Sequence, residues 1–149
     1  MPRPKKYRTI LQPPVFDRFK PAGVRGSMLD RIVLTLDEYE AIRLADYLGY
    51  NHLQASKLMN ISRSTFSRLI DNARKKLSSF IMEGKELFII GGNIRFSRHL
   101  AKCLDCGQIY DLDENDRCPN CSSERYMILE EVFGNRGRGR YRHRHGNRG

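Results

Sequence analysis

The feature that most constrains the fold is an apolar repeat in the segment between Ser62 and Gly84. Apolar side chains recur there at spacings of three and four residues, which places them along one face of an α-helix. They are Phe66, Leu69, Ile70, Ala73, Leu77 and Phe80. Because Ser62 is a favourable N-cap and Gly84 a favourable C-cap, the sequence predicts one long helix between them with a single buried face.

Two shorter helices are predicted ahead of this long helix. The first begins at Thr35, which forms a capping box with Glu38, and ends at Gly49. The second covers residues 52–59 and ends at Asn60, because asparagine tolerates the left-handed backbone of a tight turn. The side chains predicted to face inward are Ala41, Leu44, Ala45 and Leu48 in the first helix, and Ala55, Leu58 and Met59 in the second.

Two short helices joined by a tight turn are typical of a helix-turn-helix that reads duplex DNA. The residues of the long helix that are predicted to contact DNA are Arg63, Ser64, Thr65, Ser67, Arg68, Asn72 and Lys75. Arg68 is the first candidate for a base contact, because a guanidinium pairs bidentately with guanine. Arg63, Arg74 and Lys75 are better candidates for contacts with phosphates than for contacts with bases. The alternative is an ordinary helical bundle whose polar face is only solvated.

The net charge of +10 is concentrated at the two ends of the chain. Residues 1–31 hold eight Lys and Arg against two acidic residues, and residues 134–149 hold six Arg and no acidic residue. Basic ends favour a polyanionic partner, since cations near phosphates release condensed counterions; the alternative is a tail that only aids solubility. The Arg/Gly tail has almost no apolar content, so it is predicted to be disordered.

The N-terminal segment contains five prolines and is predicted to be an extended arm. Its side chains predicted to contact DNA are Arg3, Lys5, Lys6 and Arg8. Two placements remain open: entry into the minor groove beside the reading helix, or attraction to phosphates without a defined position. Val15, Phe16 and Phe19 are predicted to pack the arm onto the domain that follows.

Four cysteines form two C-x-x-C pairs, Cys103 with Cys106 and Cys118 with Cys121, and eleven residues separate the pairs. Each pair places two thiolates on one tight turn, and two such turns complete a tetrahedron around Zn²⁺. Four thiolates leave no open position for a substrate, so the sequence predicts one structural zinc site in a small ribbon. The alternative is a redox switch that uses one pair.

The chain also resembles a known family through PRPKKYR at its start, LTLDEYEAIRLAD at 34–46 and NISRSTFSRLIDNARKKL at 60–77. These segments are similar to those of uncharacterised prokaryotic proteins that are predicted to bind DNA. The resemblance covers most of residues 1–125. It implies a three-helix DNA reader like region four of sigma factors, followed by a C-terminal zinc ribbon. Asn60 stands where a glycine is more typical of the family's turn.

The predicted architecture is therefore mainly α: a three-helix, sigma-region-four-like helix-turn-helix with a short β-hairpin, formed by residues 87–90 and 94–96, and a small β zinc ribbon. The predicted units are a basic arm (1–31), a DNA-binding domain (32–96), a zinc ribbon (97–133) and a disordered tail (134–149). No apolar stretch is long enough for a membrane span and no apolar segment follows the charged N-terminus. We therefore expect a cytoplasmic, nucleoid-associated protein.

The predicted function is sequence-specific binding of double-stranded DNA by a transcriptional regulator. No nucleophile–base pair, phosphate loop or open metal site is visible in the sequence, so no enzymatic activity is expected. RNA polymerase and a second copy of the chain are further candidate partners. The alternative function is that of an RNA-associated or polymerase-interacting zinc-ribbon protein, for which the acidic residues around the cysteines favour a protein partner over nucleic acid.

Overall fold

The structure is a computed structural model that describes residues 7–133 and the backbone of Arg144–His145. Its helices are α1 (Leu36–Ile42), which continues as a π-helical segment (Arg43–Tyr47), α2 (His52–Met59), α3 (Arg63–Glu83) and α4 (Leu129–Phe133). Its strands are β1 (Arg8–Ile10), β2 (Arg18–Phe19), β3 (Arg31–Leu34), β4 (Glu86–Ile89), β5 (Ile94–Phe96), β6 (Leu100–Cys103), β7 (Ile109–Asp111), β8 (Arg125–Ile128) and β9 (Arg144–His145).

The predicted mainly α, three-helix architecture is wrong. The described part of the chain is mixed, with four helices and three sheets, and 39% of it is helical and 21% strand. The error has a physical cause: the strands have only two to four residues, too few to show a readable alternation of polar and apolar side chains. Most of them also pair with partners far away along the chain.

The three helices predicted from periodicity and capping are present. The N–H of Thr35 donates to the Glu38 carboxylate at 3.0 Å, as the predicted capping box requires. Asn60 adopts the left-handed conformation with φ of 57°, and the hydroxyl of Ser62 accepts from the N–H of Thr65. Gly84, with φ of 64°, ends α3. Local signals in the sequence were therefore sufficient for this part of the fold.

Two predicted inward positions are wrong, because Leu48 is 48% exposed and Leu58 is 38% exposed. The π-helical segment Arg43–Tyr47 explains the first, since its wider turns shift the phase of the side chains that follow. The core consists of Phe66, Leu69, Ile70 and Ala73 of α3 together with apolar residues of α1, the π-helical segment, α2, α4 and strands β1, β3, β4 and β5.

The predicted hairpin between residues 87–90 and 94–96 is also wrong. β4 pairs in parallel with β3 and antiparallel with β2, whereas β5 pairs in parallel with β1. Gly91 and Gly92 do turn the chain, with φ of 78° and 98°. Gly92 is needed for a second reason: a Cβ there would lie 2.9 Å from Oδ1 of Asp37. The glycines thus let this turn pack against the start of α1, and they direct β5 toward β1.

The segment predicted as an extended arm contributes β1 to the sheet with β5, and β2 to the sheet with β4 and β3. Val15, Phe16 and Phe19 do not pack it down, since they are 72%, 66% and 43% exposed. Instead, the fully buried side chain of Ile10 and polar contacts of the backbone and of Arg8 hold it.

The polar contacts come from Asp37 and Glu40, two of the three buried carboxylates of α1; the third is Glu38. Asp37 pairs with Arg8 of β1. Glu40, which is fully buried, accepts the backbone N–H of Leu11 at 2.6 Å and also pairs with Arg43. Glu38 accepts Nζ of Lys76 in α3 at 2.6 Å. The three carboxylates therefore tie the N-terminal segment and α3 to α1. They belong to DEYEAIRLAD, one of the segments through which the chain resembles its family, so this part of the resemblance includes residues that stabilise the fold.

The cysteine module forms a sheet of order β7-β6-β8-β9, and β8 leads directly into α4. Leu129 and Phe133 of α4 belong to the main core, so the module is anchored to the helices. The rest of the predicted disordered tail, residues 134–143 and 146–149, lies outside the described residues. None of the described helices combines the length and the apolar character that crossing a bilayer requires.

The buried carboxylate of Glu40 generates a stability prediction. Glu40→Ala removes the acceptor of the Leu11 N–H and leaves Arg43 unpaired, so we expect a loss of roughly 3–5 kcal/mol in the free energy of unfolding. The matched control is Asp46→Ala, which breaks the exposed pair with Arg74 and should cost less than about 1 kcal/mol. Urea denaturation of the full chain measures both, and equal losses would contradict this role of Glu40.

Candidate nucleic-acid interface and metal site

The face of α3 opposite its core stripe is exposed in its first half. Arg63, Ser64, Arg68, Asn72 and Lys75 all lie at the surface, as predicted for DNA contacts. The helix spacing places Ser64, Arg68 and Lys75 along the centre of this face. These three residues, with Asp71 between them, are called the outer face of α3 below.

The other predicted side chains of α3 lie on its flanks. The hydroxyl of Ser67 is 2.9 Å from Nδ1 of His52 in α2, so it joins the two helices. Arg74 forms a pair of hydrogen bonds with Asp46, at 2.7 and 3.1 Å. The hydroxyl of Thr65 accepts from that of Ser62 at 2.8 Å. Because of these contacts, fewer side chains of α3 are available to donate hydrogen bonds to DNA than the sequence pattern suggested. Arg68 remains at the centre of the outer face.

A groove of about 700 Å³ runs along one flank of α3. Its walls come from the start of α1, the first half of α3, the start of β1 and the turn before β5; they include Arg8, Asp37, Thr65, Asn72 and Asn93. Among the predicted arm residues, Arg8 therefore lies beside the outer face, with its guanidinium held by Asp37. Arg3, Lys5 and Lys6 lie outside the described residues.

The four predicted metal ligands converge. The sulfurs of Cys103, Cys106, Cys118 and Cys121 all lie within 4.8 Å of one another. The Sγ atoms of Cys103 and Cys121 are 3.5 Å apart, and those of Cys106 and Cys118 are 3.4 Å apart. A tetrahedral ion with metal–sulfur bonds of about 2.3 Å requires sulfurs roughly 3.8 Å apart. The cluster therefore fits one tetrahedral metal ion, with two buried and two exposed ligands.

The two cysteine turns share one backbone design. In each, the residue after the second cysteine donates its N–H to the carbonyl of the first: Gly107 to Cys103 at 3.0 Å, and Ser122 to Cys118 at 2.9 Å. Both donors are left-handed, with φ of 81° and 62°. The first turn uses glycine for this conformation, whereas the second imposes it on a serine.

The surroundings of Cys106 favour the thiolate form that binds metal, whereas desolvation and the sulfurs of the other three cysteines raise the pKa of Cys121 to about 12. The side chain of Asn120 and the backbone N–H of Gln108 lower the pKa of Cys106 to about 6. Burial, together with the neighbouring thiols of Cys103 and Cys118, raises the pKa of Tyr110 to about 12, so this phenol stays neutral beside the cluster. The apolar core around the sulfurs is small, which is the usual reason for a module of this size to need a metal.

Sequence reasoning missed several residues that shape these sites. Asn120 and Ser122 sit in and just after the second C-x-x-C pair, where asparagine and serine are common in turns, so a local signal existed. No local signal predicted that Asp37 and Glu40 are buried against Arg8 and Arg43. Acidic residues near the start of a helix are ordinarily solvated.

The family described as "Protein of unknown function DUF134" matches residues 1–97. This chain belongs to that family. Relatives named UPF0251 protein include one from Chloroherpeton thalassium, 46% identical over 149 residues, with 98% of this chain and 99% of the relative covered. Another, from Pelotomaculum thermopropionicum, is 39% identical over 132 residues, which are 87% of this chain and 100% of the relative. A third, from Clostridium botulinum strain Loch Maree, is 42% identical over 135 residues, which are 89% of this chain and 86% of the relative.

No solved structure matches this chain. The DUF134 relatives span it almost end to end, and their names assign no activity. The geometry of the sites therefore has to support any functional conclusion.

The cysteine cluster predicts that this protein binds one metal ion per chain in a tetrahedral site. Titrating Co²⁺ into the metal-free full chain should give a tetrahedral thiolate spectrum that saturates at one equivalent. Cys118→Ser should weaken binding by at least tenfold, because a buried ligand is lost. Asp113→Asn, which changes an exposed carboxylate of the same module, is the matched control and should bind as the native chain does. Saturation at half an equivalent, or an unchanged Cys118→Ser titration, would contradict a closed four-thiolate site.

Proposed function

We propose that this chain binds double-stranded DNA in a sequence-specific way, as a transcriptional regulator does. The observation that carries the proposal is the outer face of α3, which is exposed and polar, and where Arg68 forms no hydrogen bond or ion pair with another described residue. α2 and the left-handed turn at Asn60 brace this helix from behind, as in a helix-turn-helix motif. A helix of roughly 10–12 Å diameter fits the major groove, which is about 12 Å wide.

The composition of the outer face favours selective contacts over general attraction to phosphates. Asp71 lies between Arg68 and Lys75, so the face is not uniformly cationic. Ser64 is short and lets the helix approach the base edges closely. A guanidinium reads guanine, and a carboxylate accepts from cytosine, so adjacent Arg68 and Asp71 suit the two partners of one or two G·C pairs.

The ion in the cysteine site is proposed to be zinc with a structural role. Four thiolates close the tetrahedron and leave no position for a substrate. The site lies in a module anchored to the main core through α4, so the metal would stabilise the fold that presents α3. Elemental analysis of chain purified without added metal tests this assignment: one zinc per chain is expected, and iron or no metal would contradict it.

Selection of bound duplexes from a random pool, followed by sequencing, tests specific reading. We expect one enriched motif at moderate salt. Arg68→Ala should then cost about 1–3 kcal/mol at one base position and relax the preference there, because a bidentate contact is lost. Arg117→Ala, which removes an exposed arginine of the cysteine module, is the matched control and should leave the motif unchanged.

Two results would overturn the proposal. Absence of any enriched sequence over bulk duplex would contradict specific reading. Preference for single-stranded RNA over duplex DNA at equal salt would favour an RNA-associated role instead.

A further inference from the structure

A second basic feature lies on the β1–β5 sheet. The guanidinium of Arg95 stacks on the Tyr7 ring, with its carbon 5.0 Å from the ring centre. Arg95 is exposed in the middle of β5, and Tyr7, at the residue before β1, is 52% exposed. No acidic side chain of the described residues pairs with Arg95. Its charge and its five N–H donors are therefore available to a ligand.

The strand register fixes where this pair lies. β1 and β5 run in parallel, with Arg8 opposite Ile94 and Thr9 opposite Arg95. The N–H of Arg8 also donates to the carbonyl of Asn93 at 2.9 Å. The two strands therefore begin side by side, and Arg8 at the start of β1 and Asn93 just before β5 line the groove beside α3.

The groove connects the pair to the outer face of α3. Thr65 and Asn72 form its wall on the α3 side, and Asn72 is one helical turn beyond Arg68. A duplex that receives the outer face in its major groove carries a row of phosphates on each side of the helix. One of these rows would pass over the groove toward the rim at the start of the two strands, where Tyr7 precedes the groove residue Arg8 and Arg95 follows the groove residue Asn93 by two positions.

Arg8 is the less suitable phosphate ligand at this rim. Its guanidinium is held by the buried carboxylate of Asp37, which fixes β1 in place and consumes its charge. Arg95 is held only by an aromatic ring, and stacking orients a guanidinium without occupying its hydrogen-bond donors.

We propose that Arg95, oriented by Tyr7, binds the phosphate backbone of the duplex on the flank of α3 that faces β1. This inference rests on the proposed function and adds a contact that positions the protein without reading sequence.

Salt-dependent affinity distinguishes a phosphate contact from a base contact. We expect Arg95→Ala to weaken binding of both the selected duplex and a scrambled duplex by the same factor, and to reduce the slope of log K against log salt by about 1. Arg95→Lys should keep the slope and recover part of the affinity, because the charge remains but the stacked, planar donor set is lost. Arg117→Ala is again the control and should change neither quantity.

The outcomes separate the two proposals. If the native chain binds duplex DNA and Arg95→Ala leaves slope and affinity unchanged, the phosphate contact is wrong while specific reading by α3 stands. If Arg95→Ala alters the preferred sequence with no change in slope, Arg95 reads a base and the assignment to phosphate is wrong. If the native chain binds no duplex at all, the proposed function fails, and this contact fails with it.

Discussion

The described fold depends on the burial of three acidic side chains at the start of α1. Each of them binds a different part of the chain: Asp37 pairs with Arg8 of β1, Glu40 accepts a backbone N–H just after β1, and Glu38 pairs with Lys76 of α3. Buried carboxylates carry a large desolvation cost, so they are stable only where partners replace the lost water. Together with the buried side chain of Ile10, these charged contacts hold the described part of the N-terminal segment against α1. They also fix the distance between β1 and α3, and thereby the groove beside the outer face.

How far the sequence predicted this structure differs between its parts. α2, the turn at Asn60 and α3 were predictable because capping, glycine placement and apolar periodicity are all local signals. The parallel pairings of β3 with β4 and of β1 with β5 were not, since the partners are more than 50 residues apart for the first pair and more than 80 for the second. Gly91-Gly92 gave a false hairpin signal, because its actual constraint is the close approach of Asp37.

The candidate sites show the same division. The cysteine spacing predicted a four-sulfur cluster, and the structure places the sulfurs close enough for one tetrahedral ion. For α3, periodicity identified the exposed face, but Ser67 and Arg74 contact α2 and the π-helical segment instead of pointing outward. Which polar residues of an amphipathic helix stay free depends on its neighbours, and a single sequence does not contain that information. Arg95 was missed for the same reason, since only the pairing of β5 with β1 brings it to Tyr7.

The central claim is that the first half of α3 contacts the bases of a duplex. Backbone amide shifts of the full, metal-loaded chain, measured by NMR while a selected duplex is added, test it most directly. The account predicts that the largest changes fall on residues 63–72, with a second group at Tyr7 and Arg95. Changes confined to the cysteine module, with the amides of α3 unmoved, would contradict it.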